Sequence, residues 1–166
     1  MKKILWIIFI SIISFPSFAE GVKLGKTYDN WSTFYYNDKT DGKVCYIAAS
    51  PEKSVGNIKG RKDSFAIVTH RSKSKIFDIF NLDAGYTYQS DSPIILEIKE
   101  QKFNLTADSN SAWAGDGDDL KIIQALSKAA KMTVKGKSKS GVEITDTFSL
   151  KGFARAYTEI NKECKQ

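Results

Sequence analysis

The chain of 166 residues is poor in cysteine, histidine and proline, and each shortage excludes a class of function. Its two cysteines form no C-x-x-C pair, so a thioredoxin-like redox site is not expected. Its single histidine, His70, is too few for a multi-histidine zinc site. No serine lies in a nucleophile elbow that would pair with His70 in a hydrolase triad. We therefore interpret His70 as a half-exposed strand residue, and we predict neither a metal nor another cofactor.

Long apolar runs are also missing after the first segment. That segment carries Lys2-Lys3, an apolar stretch from Ile4 to Phe15, and Ser17-Phe18-Ala19 before Glu20. A positive start, a short apolar stretch and small residues at the end are typical of a secretory signal peptide. The stretch is shorter than the ~20 residues that span a bilayer. We predict a signal peptide over residues 1–19 and one exported domain over residues 20–166.

The charge is mildly basic. The 25 basic and 19 acidic residues give a net charge of +6, which falls to +4 without Lys2 and Lys3. Such a charge favours attraction to an anionic envelope or host surface. The lysines lack interleaved stacking aromatics, so nucleic-acid binding is not expected. Internal repeats and Pro/Gly/Ser-rich linkers are absent from the sequence, which fits a single domain.

Many short apolar segments with turns between them predict a mainly β protein. We expect an immunoglobulin-like β-sandwich with two short helices. Trp31, Phe34 and Tyr36 alternate with polar residues, and we interpret them as core and cross-strand pairs. The polar segment from Ser50 to Lys62 reads as the longest loop, where partner contacts are expected first.

Asp116, Asp118 and Asp119 precede apolar residues that recur at helical spacing from Leu120 to Ala130. Carboxylates in a first turn accept free N–H groups and face the positive end of the helix dipole. We therefore predict helix capping. The alternative is a calcium loop, but the EF-hand spacing and its closing glutamate are missing.

A β-hairpin with a basic tip follows the helix. Met132 and Val134 alternate, the stretch from Lys135 to Gly141 supplies turn residues, and an alternating pattern then resumes. Asp146 interrupts the apolar face, which predicts a bulge or a buried hydrogen-bonded carboxylate. The tip carries Lys135, Lys137 and Lys139. These lysines either belong to a solvated turn or form a candidate site for anionic ligands.

The last segment reads as an amphipathic helix. Phe153, Tyr157, Ile160 and Cys164 recur at spacings of four, three and four, so Cys164 shares the apolar face. In an oxidising compartment two cysteines favour one bridge, here between Cys45 and Cys164. Closing so long a loop stabilises the fold by roughly 4 to 5 kcal/mol in the chain-entropy model.

The order of these motifs resembles the invasion-associated locus B family of bacterial exported proteins. The likeness rests on Ala112-Trp113, the acidic residues before the helix, the run from Met132 to Ser138, the run from Asp146 to Phe153, and the terminal cysteine. It extends upstream through Trp31, Cys45-Tyr46, Ser50-Pro51, residues 68–71, Gly85-Tyr86 and residues 103–105. The resemblance implies a Gram-negative envelope protein and, in pathogenic relatives, a part in host-cell invasion.

Three hypotheses of function follow. The first is a non-enzymatic, periplasmic or secreted binding module, with outer-membrane association and a partner in the envelope or on a host surface. The second is an envelope glycan hydrolase or lyase that uses Asp116 and Asp146, which requires two carboxylates within roughly 5 to 10 Å. The third is a small lipid or ligand carrier, which requires a large apolar cavity.

Overall fold

The computed structural model describes residues 21–165. The expected signal peptide, residues 1–19, lies outside this range and stays a prediction. Within the described range neither helix is long and apolar enough to cross a membrane.

Eleven strands form one antiparallel sheet in the described part of the chain. They are β1 Lys23–Tyr28, β2 Trp31–Asp38, β3 Gly42–Ala49, β4 Lys53–Val55, β5 Phe65–Arg71, β6 Ile76–Asp83, β7 Ile94–Ile98, β8 Gln101–Asp108, β9 Ser111–Ala114, β10 Lys131–Lys137 and β11 Glu143–Ser149. Their order across the sheet is β1-β2-β3-β5-β6-β9-β8-β7-β10-β11-β4. Strands β1 and β4 are therefore its two edges.

The sheet folds over on itself, which brings its first strands against its last ones. The Trp31 indole N–H donates to the carbonyl oxygen of Ser149 at 3.0 Å, and the Asn30 N–H donates to Lys151 O at 3.2 Å. Alternate residues of most strands point into one shared core. That core contains Trp31, Phe80, Phe148 and Phe153, none more than 1% exposed. The prediction of a mainly β, sandwich-like fold with two helices is confirmed.

The two helices cover the inner side of the sheet. Helix α1, Asp119–Leu126, buries Ile122, Ile123 and Leu126. Helix α2, Phe153–Cys164, lies against β1, β2, β3 and β5. Gly152 starts α2 with φ 93°, and a Cβ there would collide with the carbonyl oxygen of Tyr28. Only glycine fits such a turn without strain.

The predicted disulfide between Cys45 and Cys164 is confirmed, with the two Cα atoms 6.1 Å apart. It joins β3 to the last residue of α2. As the apolar spacing predicted, Cys164 lies on the buried face of the helix with Phe153 and Ile160. The bridge therefore ties the C-terminal helix to the inner surface of the sheet.

Two local predictions need correction. The segment from Ser50 to Lys62 is not wholly a loop, because residues 53–55 form β4 and pair with β11. Phe34 and Tyr36 are not core residues. Trp31 and Thr33 take the inward positions of β2, so the alternating pleat turns Phe34 and Tyr36 outward, where both are half-buried. The cross-strand pairing itself is confirmed, because the rings of Phe34 and Tyr46 stack with centroids 4.9 Å apart.

Candidate functional site

The segment between β4 and β5 is fastened to the core through Asp146. Two guanidinium nitrogens of Arg61 donate to the two carboxylate oxygens of Asp146, at 3.0 and 2.5 Å, and the Ser54 hydroxyl donates to the same carboxylate at 2.6 Å. Asp146 is 4% exposed. Its pairing with β10 is continuous, so the buried hydrogen-bonded carboxylate predicted at this position is present and no bulge occurs.

Two tyrosines complete this buried polar group. Arg61 lies over the ring of Tyr86 at 5.2 Å, and the rings of Tyr86 and Tyr88 meet edge to face at 5.0 Å. Burial and, next, the negative charge of Asp146 raise the pKa of Tyr86 to about 12. Burial also raises the pKa of Tyr88. Both phenols are therefore neutral at physiological pH, and they pack with Arg61 beside Asp146.

Phe65, at the start of β5, lines two surface clefts beside this support. The first cleft has a volume of about 570 Å³ and includes Asp63, Asp83 and Asn110 in its lining. The second has a volume of about 340 Å³ and includes Phe34, Pro51 and Glu52. Both clefts are bounded by residues that flank β4. The sequence predicted partner contacts in the segment from Ser50 to Lys62, and residues of that segment line both clefts.

The outer side of the sheet carries a strip without charge next to these clefts. One row of cross-strand neighbours runs through Phe34, Tyr46, Thr69 and Ile79. The adjacent row runs through Ser32, Ala48, Ile67, Asn81, Trp113 and Thr106. We call these ten residues the uncharged face. None of them is ionisable at neutral pH, although 27% of the chain is charged, and Trp113 is 37% exposed.

The other half of the sheet has a different outer surface. Its rows run through Lys102, Glu97, Thr133, Thr147 and Lys53, and through Asn104, Ile95, Lys135, Thr145 and Val55. We call these ten residues the charged face. Four of them are charged and four more are Thr or Asn. This pattern is the ordinary one for a solvated sheet surface.

The three lysines predicted as a candidate anion site are not arranged as one cluster of positive charge. Lys135 forms a salt bridge of 2.9 Å with Glu97, whose other oxygen pairs with Lys102 at 3.2 Å. Lys137 stands opposite Glu143 in the hairpin. Lys139 lies beyond the strand ends, in the turn. Because carboxylates neutralise part of this surface, the anion-binding role of Lys135, Lys137 and Lys139 stays a prediction.

The prediction that His70 is half-exposed is wrong, because His70 is 0% exposed. Its ring lies beneath α2, where Nε2 is 2.9 Å from Asn161 Oδ1 and Nδ1 accepts the backbone N–H of Asp78 at 3.0 Å. Asp78 also accepts from the Tyr157 hydroxyl at 2.5 Å and from Lys165. Burial and, next, the charge of Lys165 lower the pKa of His70, while Asp78 opposes them. The group fastens α2 to β5 and β6.

The acidic residues before α1 also depart from prediction. Asp118 occupies the N-cap position without a side-chain cap hydrogen bond, so capping by that carboxylate is wrong. Asp119 instead accepts the backbone N–H of Phe80 at 2.7 Å and thereby joins α1 to β6. Burial raises the pKa of Asp119, and the Phe80 N–H opposes this shift. Within residues 21–165 no group of three or more acidic, His or Cys residues is arranged to hold a metal ion.

The two carboxylates proposed for glycan cleavage have different surroundings. Asp146 is bound by Arg61 and Ser54, whereas Asp116 is exposed between β9 and α1. No hydrogen bond or ion pair links the two within the described residues. A carboxylate that already accepts two hydrogen bonds from a guanidinium and one from a hydroxyl is poorly placed to exchange a proton with a substrate. The carrier hypothesis also meets an obstacle, because large aromatic side chains fill the interior between the two halves.

Sequence reasoning missed Trp113 and Arg61 as surface and support residues. Trp113 lies on the four-residue strand β9, which is too short to show an alternating pattern. The position of Asp146 on an apolar face predicted a bulge or a buried hydrogen-bonded carboxylate. The sequence does not identify which of the 25 basic residues pairs with this carboxylate. A paired carboxylate and guanidinium 85 residues apart become visible only in the fold.

Comparison with known families gave one result. The family model described as Invasion associated locus B (IalB) protein matches residues 31–161, which is most of the chain. That range includes the uncharged face, Phe65, Arg61 and Asp146. No curated protein matched the chain. No solved structure matched it either.

Proposed function

The chain belongs to the invasion associated locus B family, and from this membership we propose that it is an exported envelope protein that acts by binding a partner protein rather than by catalysis. The family and the Cys45–Cys164 disulfide support an oxidising, extracytoplasmic location. The partner is a protein of the cell envelope or of a host surface. A part in host invasion is a further proposal that follows from the family's name.

The uncharged face carries this proposal. Outward positions of a sheet that faces water are normally polar. Here six of the ten positions are aromatic or aliphatic, namely Phe34, Tyr46, Ala48, Ile67, Ile79 and Trp113. Contiguous apolar surface with a depleted charge and aromatic side chains is typical of the core of a protein interface.

Contacts among aromatic side chains support a protein partner on this face. Phe34 and Tyr46 lie with their planes 12° apart and stack on each other, while Tyr36 meets Tyr46 at 70°. The three rings contact one another and so form an aromatic patch against which side chains of a partner can pack. These ring contacts support a binding role. The Asp146 carboxylate supports it too, since Arg61 and Ser54 already bind that group.

Site-specific photo-crosslinking tests the proposal. Ile79 and Ile95 are a matched pair, because both are half-buried isoleucines that point outward, one on each face. A photoreactive amino acid at position 79 should capture a defined protein from intact envelopes or host membranes, and position 95 should not. Equal capture from both positions, or none from position 79, would contradict a partner on the uncharged face.

A further inference from the structure

We propose that Phe65 and the two clefts beside it form a binding site for a neutral oligosaccharide. Phe65 is half-buried and belongs to the lining of both clefts, of about 570 and 340 Å³. Together the clefts have the volume of a small-ligand site. A ligand of two or more units would straddle the ring, with one unit in each cleft.

The polar lining offers the groups that sugar hydroxyls require. Asp83 Oδ1 accepts from the backbone N–H of Gly85 at 3.0 Å and from Asn110 Nδ2 at 2.9 Å. These bonds orient both side chains and leave Asp83 Oδ2 and Asn110 Oδ1 as acceptors. Asp63 and the Thr87 hydroxyl line the same cleft. A sugar unit presents hydroxyls at its rim and an apolar C–H face that packs on an aromatic ring, which matches this set.

The walls of the first cleft are fixed before any ligand arrives. The Lys62 N–H donates to Gly85 O at 3.0 Å, and Arg61 Nε donates to Ala84 O at 3.0 Å. Gly85 has φ 71°, and a Cβ there would collide with the carbonyl oxygen of Lys62. Arg61 is in turn held by Asp146. A preorganised wall lowers the ordering cost of binding, which is the property of a site rather than of a surface depression.

The charges of the lining select among sugars. Asp63 and Asp83 contribute two carboxylates to the first cleft, and Lys62 contributes one ammonium group. The excess of negative charge repels uronates and sulfated sugars. Neutral oligosaccharides are therefore the class that fits. The second cleft shares Ser32, Phe34 and Ala48 with the uncharged face, whereas Ile79, the photo-crosslinking position, lines neither cleft.

The test is a titration of the chain from Glu20 onward, followed by NMR amide shifts and calorimetry. The probes are two neutral tetrasaccharides, chitotetraose and cellotetraose, and an anionic one of equal length, tetragalacturonate. We expect a neutral probe to shift amides around Phe65 and Asn110, and the anionic probe to bind more weakly. Phe65→Ala should weaken binding by about tenfold, the effect of a ring contact of about 1.4 kcal/mol. Phe65→Tyr keeps the ring and should retain binding.

The control variant is Ile95→Ala, which removes an outward side chain from the charged face and should leave binding unchanged. An amide spectrum of each variant establishes that it is folded. The proposal is overturned if neither neutral probe shifts these amides, if a folded Phe65→Ala protein binds as well as the parent, or if tetragalacturonate binds most tightly. Capture of a protein from position 79 would be unaffected by any of these results, so the two proposals fail separately.

Discussion

The two outer faces of the sheet are built alike but differ in chemistry. Each consists of ten outward residues in two neighbouring cross-strand rows, and each belongs to antiparallel strands whose other side is buried. The charged face has four ionic side chains, and three of them, Glu97, Lys102 and Lys135, form a salt-bridged group. The uncharged face has none. The same scaffold thus carries one surface suited to water and one suited to a partner.

The difference between the two faces separates residues that folding requires from residues that it does not require. Folding requires apolar residues only on the inner side of each strand, since a solvated outer side is stable with threonine and charge. Aromatic residues outside the core add no comparable stability and increase the risk of aggregation. Their presence on one face only, next to the Phe65 clefts, is the observation on which the proposed binding role rests.

The largest expected effect comes from removing the disulfide, which lies under the uncharged half alone. Cys164→Ser should lower the melting temperature by about 8 to 16 °C, which corresponds to roughly 4 kcal/mol for a chain of this size. Hydrogen exchange should accelerate in β2, β3 and β5, which contact α2, and much less in β10 and β11. The two halves of the sheet would then differ in local stability.

Reductant provides the control for this prediction. The parent protein and Cys164→Ser should melt at similar temperatures once the parent is fully reduced. Uniform acceleration of exchange across all strands would show that the two halves unfold as one unit and would remove the basis for treating them separately.

Acid should weaken the same half by a smaller amount. In the folded protein, burial lowers the pKa of His70 below its ordinary value of 6.5. Below pH 6.5 the unfolded chain therefore binds a proton at this imidazole that the folded protein does not bind. The contribution of neutral His70 to the free energy of unfolding is therefore fully present above pH 6.5. It falls as the pH decreases, by at most about 1.4 kcal/mol per pH unit. Urea unfolding between about pH 7.5 and 5 measures the slope.

His70→Gln is the matched variant for this measurement. It should be less stable than the parent at neutral pH, because it loses the contact with Asp78 or Asn161, but its stability should change less with pH. Parallel slopes for the two proteins would assign the acid sensitivity to other groups.

The smallest expected effect concerns the charged face. Replacing Lys135, Lys137 and Lys139 together by Gln should weaken binding to heparin or anionic vesicles at low salt. Lys135→Gln alone should change binding little, because Glu97 already pairs with that ammonium group, and exposed ion pairs contribute only about 0 to 1 kcal/mol. If the triple variant binds like the parent, the charged face is a solvated surface and nothing more.

Local patterns predicted most of the fold. The apolar spacing of α2 placed Cys164 on its buried face, and alternation located the strands from β5 to β8 and the hairpin of β10 and β11. The family resemblance, which the match over residues 31–161 confirms, rested on the order of those same motifs. These features depend on neighbours in sequence, which is why they were visible before the structure.

The misplaced residues depend on distant contacts. His70 alternates correctly as an inward residue, but only α2, which follows it by more than eighty residues, covers it. Asp119 bonds to β6 rather than to its own helix. The uncharged face is assembled from six strands, and its composition becomes evident only when their register is known. The Phe65 clefts likewise join residues from five separate stretches of chain.

The disulfide also determines how the protein would respond to tension. A force applied between the two ends of the chain passes through the covalent bridge from Cys45 to Cys164, so the segment between them, with a sequence separation of 119, carries no load. Among residues 21–165, the part that can extend is the segment before Cys45, which includes β1, β2 and the start of β3, together with Lys165. Both outer faces of the sheet, except for the residues that β2 supplies, would keep their shape while the protein is pulled between two anchored structures.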